Sequence, residues 1–229
     1  MKKVAIIPAR SGSKGLKDKN IQKLCEKPLL VYSVEAALKA EIFDCVILST
    51  DSKLYASVAA DYNIKVMYRD ETLASDDAST YDVIKDLLSR LEEKYDYFAL
   101  LQPTSPMRDE NHVKEAVRLF ENQYDKFDFL VSVKKAEYTS SLVKPIDEDN
   151  SLKFFCDDFS NYKRQLYDEY SPNGAIFIGK TDKYMEHKHF YGSRSLAYKM
   201  NDFDSVDIDT ILDYELAKIC MRKKLSGEW

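Results

Sequence analysis

The sequence predicts an α/β fold with a mostly parallel sheet covered by helices on both faces. Three observations carry this: the spacing of apolar runs, what their alternation with helices requires, and length. Short apolar runs at 3–8, 45–49, 64–68, 97–101 and 128–133 alternate with longer stretches near 28–40, 53–62, 79–94 and 110–124. Strands that alternate with helices are joined by crossovers, which make them parallel and place helices over the sheet. The third observation is length: 229 residues suit one sizeable core, so a single domain over 1–229 is expected.

The elements follow in order. Lys3 to Pro8 is a continuous apolar run of the kind a strand buried on both faces shows. Pro28 suits a first helical turn, where its missing N–H is no loss, and Leu29, Tyr32 and Ala36 continue with helical spacing. Cys45 to Ser49, Ile64 to Tyr68, Tyr97 to Leu101 and Asp128 to Val133 read as further strands. Residues 134–172 break the alternation. They combine charges with Tyr138, Phe154, Phe155, Phe159, Tyr162, Tyr167 and Tyr170, and with turn residues at 147–151. Aromatics in a polar excursion are buried either against a partner subunit or by folding back as a lid. A last helix is expected over Ile211 to Arg222, with Thr210 and Asp213 forming a capping box at its start.

Composition narrows the function. Hydrophobic residues make up 45% and charged residues 32%, with a net charge of −5. That balance argues against a general nucleic-acid or anionic-membrane binder. Basic residues concentrate instead at 10–27 and 222–224, which suits a small anionic ligand. Cys25, Cys45, Cys156 and Cys220 form no C-x-x-C pair and are expected to be free thiols in a reducing compartment. His112, His187 and His189 are too few for a zinc site, and 187–189 reads as a solvated turn. The opening apolar run is too short for a secretion signal, and nothing approaches the ~20 apolar residues of a membrane span. A cytoplasmic protein is expected.

The chemistry begins in the first loop. Arg10, Lys14, Lys17 and Lys19 follow the first strand, with Gly12 and Gly15 between them. Glycines allow close backbone approach, so N–H groups and cations can gather on one polyanion. The loop fits neither the Walker pattern G-x-x-x-x-G-K-[ST] nor the dinucleotide fingerprint G-x-G-x-x-G. Ligands of parallel sheets bind beyond the carboxyl ends of the strands. Arg10 to Asn20, Thr50-Asp51, Arg69 and Gln102 to Arg108 all occupy such ends. Asp207 and Asp209 are spaced i, i+2, so in an extended segment both carboxylates can face one hard cation. Capping does not need them, because Thr210 and Asp213 supply it. A cationic loop, paired carboxylates and convergent strand ends suit nucleotidyl transfer, in which a hydroxyl attacks an α-phosphorus and pyrophosphate leaves. Arg10 and Lys14 are the candidates for the phosphates, with Ser13 and Lys19 beside them.

Residues 4–20, V-A-I-I-P-A-R-S-G-S-K-G-L-K-D-K-N, resemble the signature of the acylneuraminate cytidylyltransferase family. Leu73 to Asp76, Leu101 to Arg108, Pro172 to Ile178 and Asp207 to Thr210 match the same family in order. The resemblance implies a Rossmann-like three-layer nucleotidyltransferase fold with a dimerisation arm at 134–172, and hence a homodimer. It implies CTP as donor, a nine-carbon ulosonic acid as acceptor and Mg²⁺ as cofactor, held by Asp207 and Asp209. Sialic acid is the expected acceptor, with legionaminic or pseudaminic acid the alternatives. Asn20, Arg69 and Thr80 would hold the nucleotide with the first loop, and Gln102, Arg164, Asn173 and Phe177 the sugar. Arg10, Lys14 and Asp209 would be catalytic. Two departures stand out: Phe177 replaces a usual tyrosine, and Lys163 to Tyr167 lacks the proline of the family's R-Q-x-L-P segment.

Overall fold

The computed structural model describes residues 1–12, 15–160 and 168–228. Among these, one seven-stranded sheet runs β5-β4-β1-β6-β8-β7-β9. Its strands are β1 (Lys3–Pro8), β4 (Cys45–Thr50), β5 (Lys65–Tyr68), β6 (Tyr97–Leu100), β7 (Phe129–Lys135), β8 (Tyr170–Lys180) and β9 (Ser195–Lys199). A two-residue hairpin, β2 (Lys23–Leu24) with β3 (Lys27–Pro28), sits apart. The helices are α1 (Leu29–Ala40), α2 (Lys53–Val58), α3 (Thr80–Ser89), α4 (Glu110–Asn122), α5 (Thr181–His187) and α6 (Ile211–Ser226).

The expected mostly parallel sheet is present. β1 pairs in parallel with β4 and β6, β4 with β5, and β7 with β9. β8 alone runs antiparallel, against both β6 and β7. Alternate side chains of β1 supply two cores, as a strand of period two must. Ala5 and Ile7 face α1, α2 and α4 through Leu30, Val34, Tyr55, Val117 and Phe120. Val4 and Ile6 face α3 and α5 through Ile84, Leu87 and Tyr184. Helices on both faces give the three-layer α/β architecture. α6 closes a third apolar cluster, with Leu24, Leu29 and Met107.

Three boundaries differ from the sequence reading. Pro28 precedes α1 in extended conformation (φ −56°, ψ 141°), because it pairs with Lys23 in the hairpin. α2 ends at Val58 rather than 62, where successive turns lead through Asn63 into β5. α3 starts after its Ser79 cap and ends at Ser89 rather than 94, since Glu93 turns back to pair with Lys2 and Tyr95 enters the core. The capping box of α6 is as expected, with the Thr210 hydroxyl accepting from Asp213 N–H and the Asp213 carboxylate from Thr210 N–H.

The excursion leaves the sheet as an extension of β7 and β8, where Lys135 faces Tyr170. Ser140 N–H and hydroxyl bind the Glu169 carboxylate at 2.7 and 3.0 Å, fastening its base. Further out, Tyr138, Val143, Ile146, Leu152 and Phe154 are exposed. Among the described residues, no helix is long and apolar enough to cross a membrane.

Candidate active site

A cleft of about 620 Å³ opens at the carboxyl ends of β1, β5 and β6, lined by Arg10, Lys19, Asn20, Arg69, Thr80, Gln102, Asp207 and Asp209 among others. Eight of the sequence-derived candidates thus meet at one place. Ser13, Lys14 and Arg164 lie outside the described residues.

The first loop is anchored at both ends. The Asp51 carboxylate accepts from Ser11 N–H at 2.9 Å and from the Ser11 hydroxyl, and Asn20 Nδ2 donates to Arg10 O at 3.0 Å. Gly15 packs directly on the last segment of the site. A Cβ there would stand 2.4 Å from Asp209 O, so no other residue fits without backbone movement. Lys19 reaches the same segment, donating to Ile208 O at 2.7 Å and to Asp209 Oδ1 at 2.9 Å.

Arg10 is half-buried, and its guanidinium pairs with Asp76 at 2.8 Å. Asp76 also lines the cleft. Arg69 is buried and donates to Ser49 O at 2.7 Å, bracing the end of β4. Burial pulls its pKa down to about 10, against the opposing pull of Asp51. Arg69 therefore shapes the cleft wall by holding backbone, with NH1 donating to Leu73 O at 3.5 Å and its Nε buried without a partner among the described residues.

The carboxylate pair behaves as its spacing predicts. Ile208, fully buried, points into the third cluster, while Asp207 and Asp209 on either side both line the cleft. Burial raises the Asp207 pKa, opposed by a hydrogen bond from Thr104. Asp207 Oδ1 is buried and has no partner among the described residues, while Asp209 is mostly exposed. An orphaned carboxylate oxygen beside a second carboxylate is a donor set that suits a hard divalent cation. Among the described residues no third acidic, histidine or cysteine side chain joins them. The fit is a two-carboxylate one, in which substrate oxygens and water would complete the shell.

A second lobe of about 310 Å³ shares Thr80, Leu100 and Gln102 with the first. Its walls are Phe177, Tyr184, Phe190 and Tyr191, with Lys188 and His189 as the titratable groups beside Tyr81. Phe177 stands here, packed on Phe190 at 5.1 Å between ring centroids. Gln102 marks the junction of the lobes. Its Oε1 would lie 2.9 Å from a Cβ on Gly174, and Asp207 Oδ2 would lie 3.1 Å from the same atom. Gly174, at φ +76°, is thus the floor on which both side chains rest.

Asn173 lines neither lobe. It is buried, accepts from the Ser132 hydroxyl at 2.6 Å and donates to Ser205 Oγ at 2.8 Å, fastening β7 and β8 to the 201–205 turn. The sequence reading gave no role to Asp76, Tyr184, Phe190 or Lys188. Asp76 lies within the quoted Leu73 to Asp76 match, but its pairing with Arg10 spans 66 residues. The aromatics carry no signal that separates them from core.

The cytidylyltransferase family model matches residues 4–224. The chain is 48% identical over 96% of its length to an N-acylneuraminate cytidylyltransferase of Escherichia coli, covering 52% of that protein. It therefore spans about half the length of that relative. It is 34% identical to a pseudaminic acid cytidylyltransferase of Campylobacter jejuni, covering 96% of both chains. The solved structure of a CMP:2-keto-3-deoxy-manno-octonic acid synthetase complexed with CTP superposes with a TM-score of 0.73 at 16% identity, covering 98% of this chain and all of that one. With the family model spanning the sheet, the first loop and the carboxylate pair alike, the chain belongs to the cytidylyltransferase family.

Proposed function

We propose that the chain transfers the cytidylyl group of CTP to a sialic acid, giving CMP-sialic acid and pyrophosphate. The observation that carries this is the meeting of Lys19 and Asp209, 2.9 Å apart, in a cleft whose second lobe joins it at Gln102. Cations on one side, carboxylates on the other and an adjoining aromatic lobe are what a triphosphate, its cation and a sugar acid require.

In this reading the acceptor hydroxyl oxygen bonds to the α-phosphorus and the bond to the bridging oxygen of pyrophosphate breaks. Charge grows on that bridging oxygen, so Arg10 and Lys19, with Lys14 and Ser13 of the same loop, act most strongly on the transition state. Asp207 and Asp209 would hold Mg²⁺, which when bound supplies charge neutralisation and a lowered pKa for the attacking hydroxyl. Asp209, the exposed member of the pair, receives the hydroxyl proton. Asn20, Arg69 and Thr80 seat the nucleotide. Gln102 and Phe177 orient the acceptor, with Arg164 a candidate for its carboxylate. Use of CTP suits a cytoplasmic enzyme.

The exposed apolar side chains of the excursion support its role as a dimerisation arm, since Val143, Ile146, Leu152 and Phe154 gain cover against a second copy. A second acceptor reading, pseudaminic or legionaminic acid, is favoured by the full-length match to the Campylobacter relative. Incubation with CTP, Mg²⁺ and a panel of nine-carbon 2-keto acids decides between them. Fastest CMP-sugar formation from N-acetylneuraminic acid is expected, and preference for another acid overturns that choice. Light scattering at micromolar concentration tests the dimer.

A further inference from the structure

We propose that Arg108 and Ser33 are positioning residues for the transfer reaction, setting Gln102 and the Asp207/Asp209 pair through one loop. The inference rests on the reading of the cleft as a nucleotidyl-transfer site. Neither residue lines either lobe.

Arg108 is 1% exposed, yet among the described residues its guanidinium meets a single hydrogen-bond partner. Its NH2 donates to Ser33 Oγ at 2.6 Å, and Ser33 Oγ donates onward to Gln102 O at 3.2 Å. The Nε and NH1 atoms have no partner among the described residues. Burying a cation this way is unfavourable, and an apolar side chain of similar volume would serve packing alone as well or better. Burial also draws the guanidinium pKa down to about 9, opposed by Asp109. What the arginine adds is reach. From the end of the 102–108 loop it returns to hold the loop's first carbonyl through a serine of α1.

That loop carries both halves of the chemistry. Gln102 stands at the junction of the lobes. Two residues on, Thr104 O accepts from Ile208 N–H at 2.9 Å, the one amide between the two aspartates. Thr104 also hydrogen-bonds the Asp207 side chain. Lys224 of α6 donates to Met107 O at 2.7 Å and fixes the far end of the loop. A shift of Gln102 O therefore moves the acceptor contact and the carboxylate pair together. Misplacement of reacting groups by about 1 Å costs ~100-fold in rate even when the mutated residue is remote.

The test uses Ser33→Ala and Ser33→Thr in the full chain. In Ser33→Ala, kcat is expected to fall by ~10- to 100-fold while CTP affinity, measured without acceptor, stays within about twofold. Ser33→Thr keeps the hydroxyl and should restore most of the rate. A second readout needs no substrate. Amide hydrogen exchange at Ile208 should speed up in Ser33→Ala, while that of Leu101, whose N–H binds Ile6 O in the sheet, should not change. If wild type fails to turn over CTP, the functional reading fails but the exchange result still judges the positioning claim. Should Ser33→Ala not fold, Arg108→Lys, which shortens the reach and keeps the charge, is measured in the same way. Wild-type kcat and wild-type exchange at Ile208 in the folded variant would overturn the proposal, as would a kcat loss matched by an equal loss of CTP affinity.

Discussion

Lys19 Nζ donates to the Asp209 carboxylate at 2.9 Å, joining the loop after the first strand to a segment 190 residues away. Its second bond, to Ile208 O at 2.7 Å, makes the join independent of the charge on Asp209. The contact places a cation and a carboxylate on the same rim before any substrate arrives. In the proposed reaction both would be preorganised for a polyanion and its counter-ion, which is where electrostatic catalysis gains most.

Replacing Lys19 with methionine keeps the stem and removes the charge. Turnover is expected to fall by ~100- to 1,000-fold, the loss typical of one preorganised donor. Steady-state kinetics beside a thermal melt check it. A wild-type kcat in a folded Lys19→Met variant would remove Lys19 from the phosphate site.

Gly174→Ala puts a Cβ on a left-handed backbone at φ +76°, 2.9 Å from Gln102 Oε1. The backbone strain costs about 1–2 kcal/mol, which for a chain of this size lowers the melting temperature by ~2–8 °C. The crowded atom is the end of a flexible side chain, so Gln102 swings aside instead of the fold failing. The expected signature is a small loss of stability with a larger loss of kcat/KM for the acceptor. Unchanged kinetics would mean that Gln102 does not touch the acceptor.

Much of this was readable from the residues. β1, β4, β6 and β7 announce themselves because strands buried on both faces are continuous apolar runs, whereas β5, an edge strand with Lys65 and Tyr68 exposed, shows only a short β-prone stretch. β8 hides behind Pro172, Asn173 and Gly174, turn-forming residues that here lie inside a strand, opposite a shift in the β7 register between Val131 and Val133. β9 lies at the sheet edge with half its side chains in solvent, so its apolar signal is weak. In the site, Arg10 and Lys19 stand out as charges in the loop after the first strand, and Asp207 and Asp209 by their i, i+2 spacing before the last helix. Asn173 shows the limit of motif transfer: an amide in a matching segment, turned inward by Ser132 and Ser205. The Arg108–Ser33 contact crosses 75 residues and has no local signature.

His112 gives the fold a pH dependence. Its ring stands 2.9 Å from Asp109 Oδ1 and 3.4 Å from Asp204 Oδ2, with Lys224 bound to both carboxylates. Burial disfavours its charge, but hydrogen bonds to Asp109 and Asp204 outweigh this and push its pKa up to about 9. A raised folded pKa stabilises fully below the ordinary histidine value, and the gain is lost as pH rises through the folded value. Stability should therefore decline between about pH 6.5 and about 9. The same pairs hold Asp109 and Asp204 below the usual carboxylate range, so their contribution is lost as pH falls below that range. Melting temperatures from pH 6 to 9 check this, and His112→Gln should flatten the decline. An equal decline in both proteins would contradict it.

The central claim is that Asp207 and Asp209 serve cytidylyl transfer in this cleft, and the most direct measurement is pyrophosphate release. Wild type, Asp207→Asn and Asp209→Asn are assayed with CTP, a nine-carbon 2-keto acid and Mg²⁺, with ATP, GTP and UTP as control donors. The account expects release from CTP far above the other nucleotides, and a fall of ~100-fold or more in each variant with melts near wild type. Equal turnover of a purine nucleotide, or near-wild-type release in both aspartate variants, would contradict it.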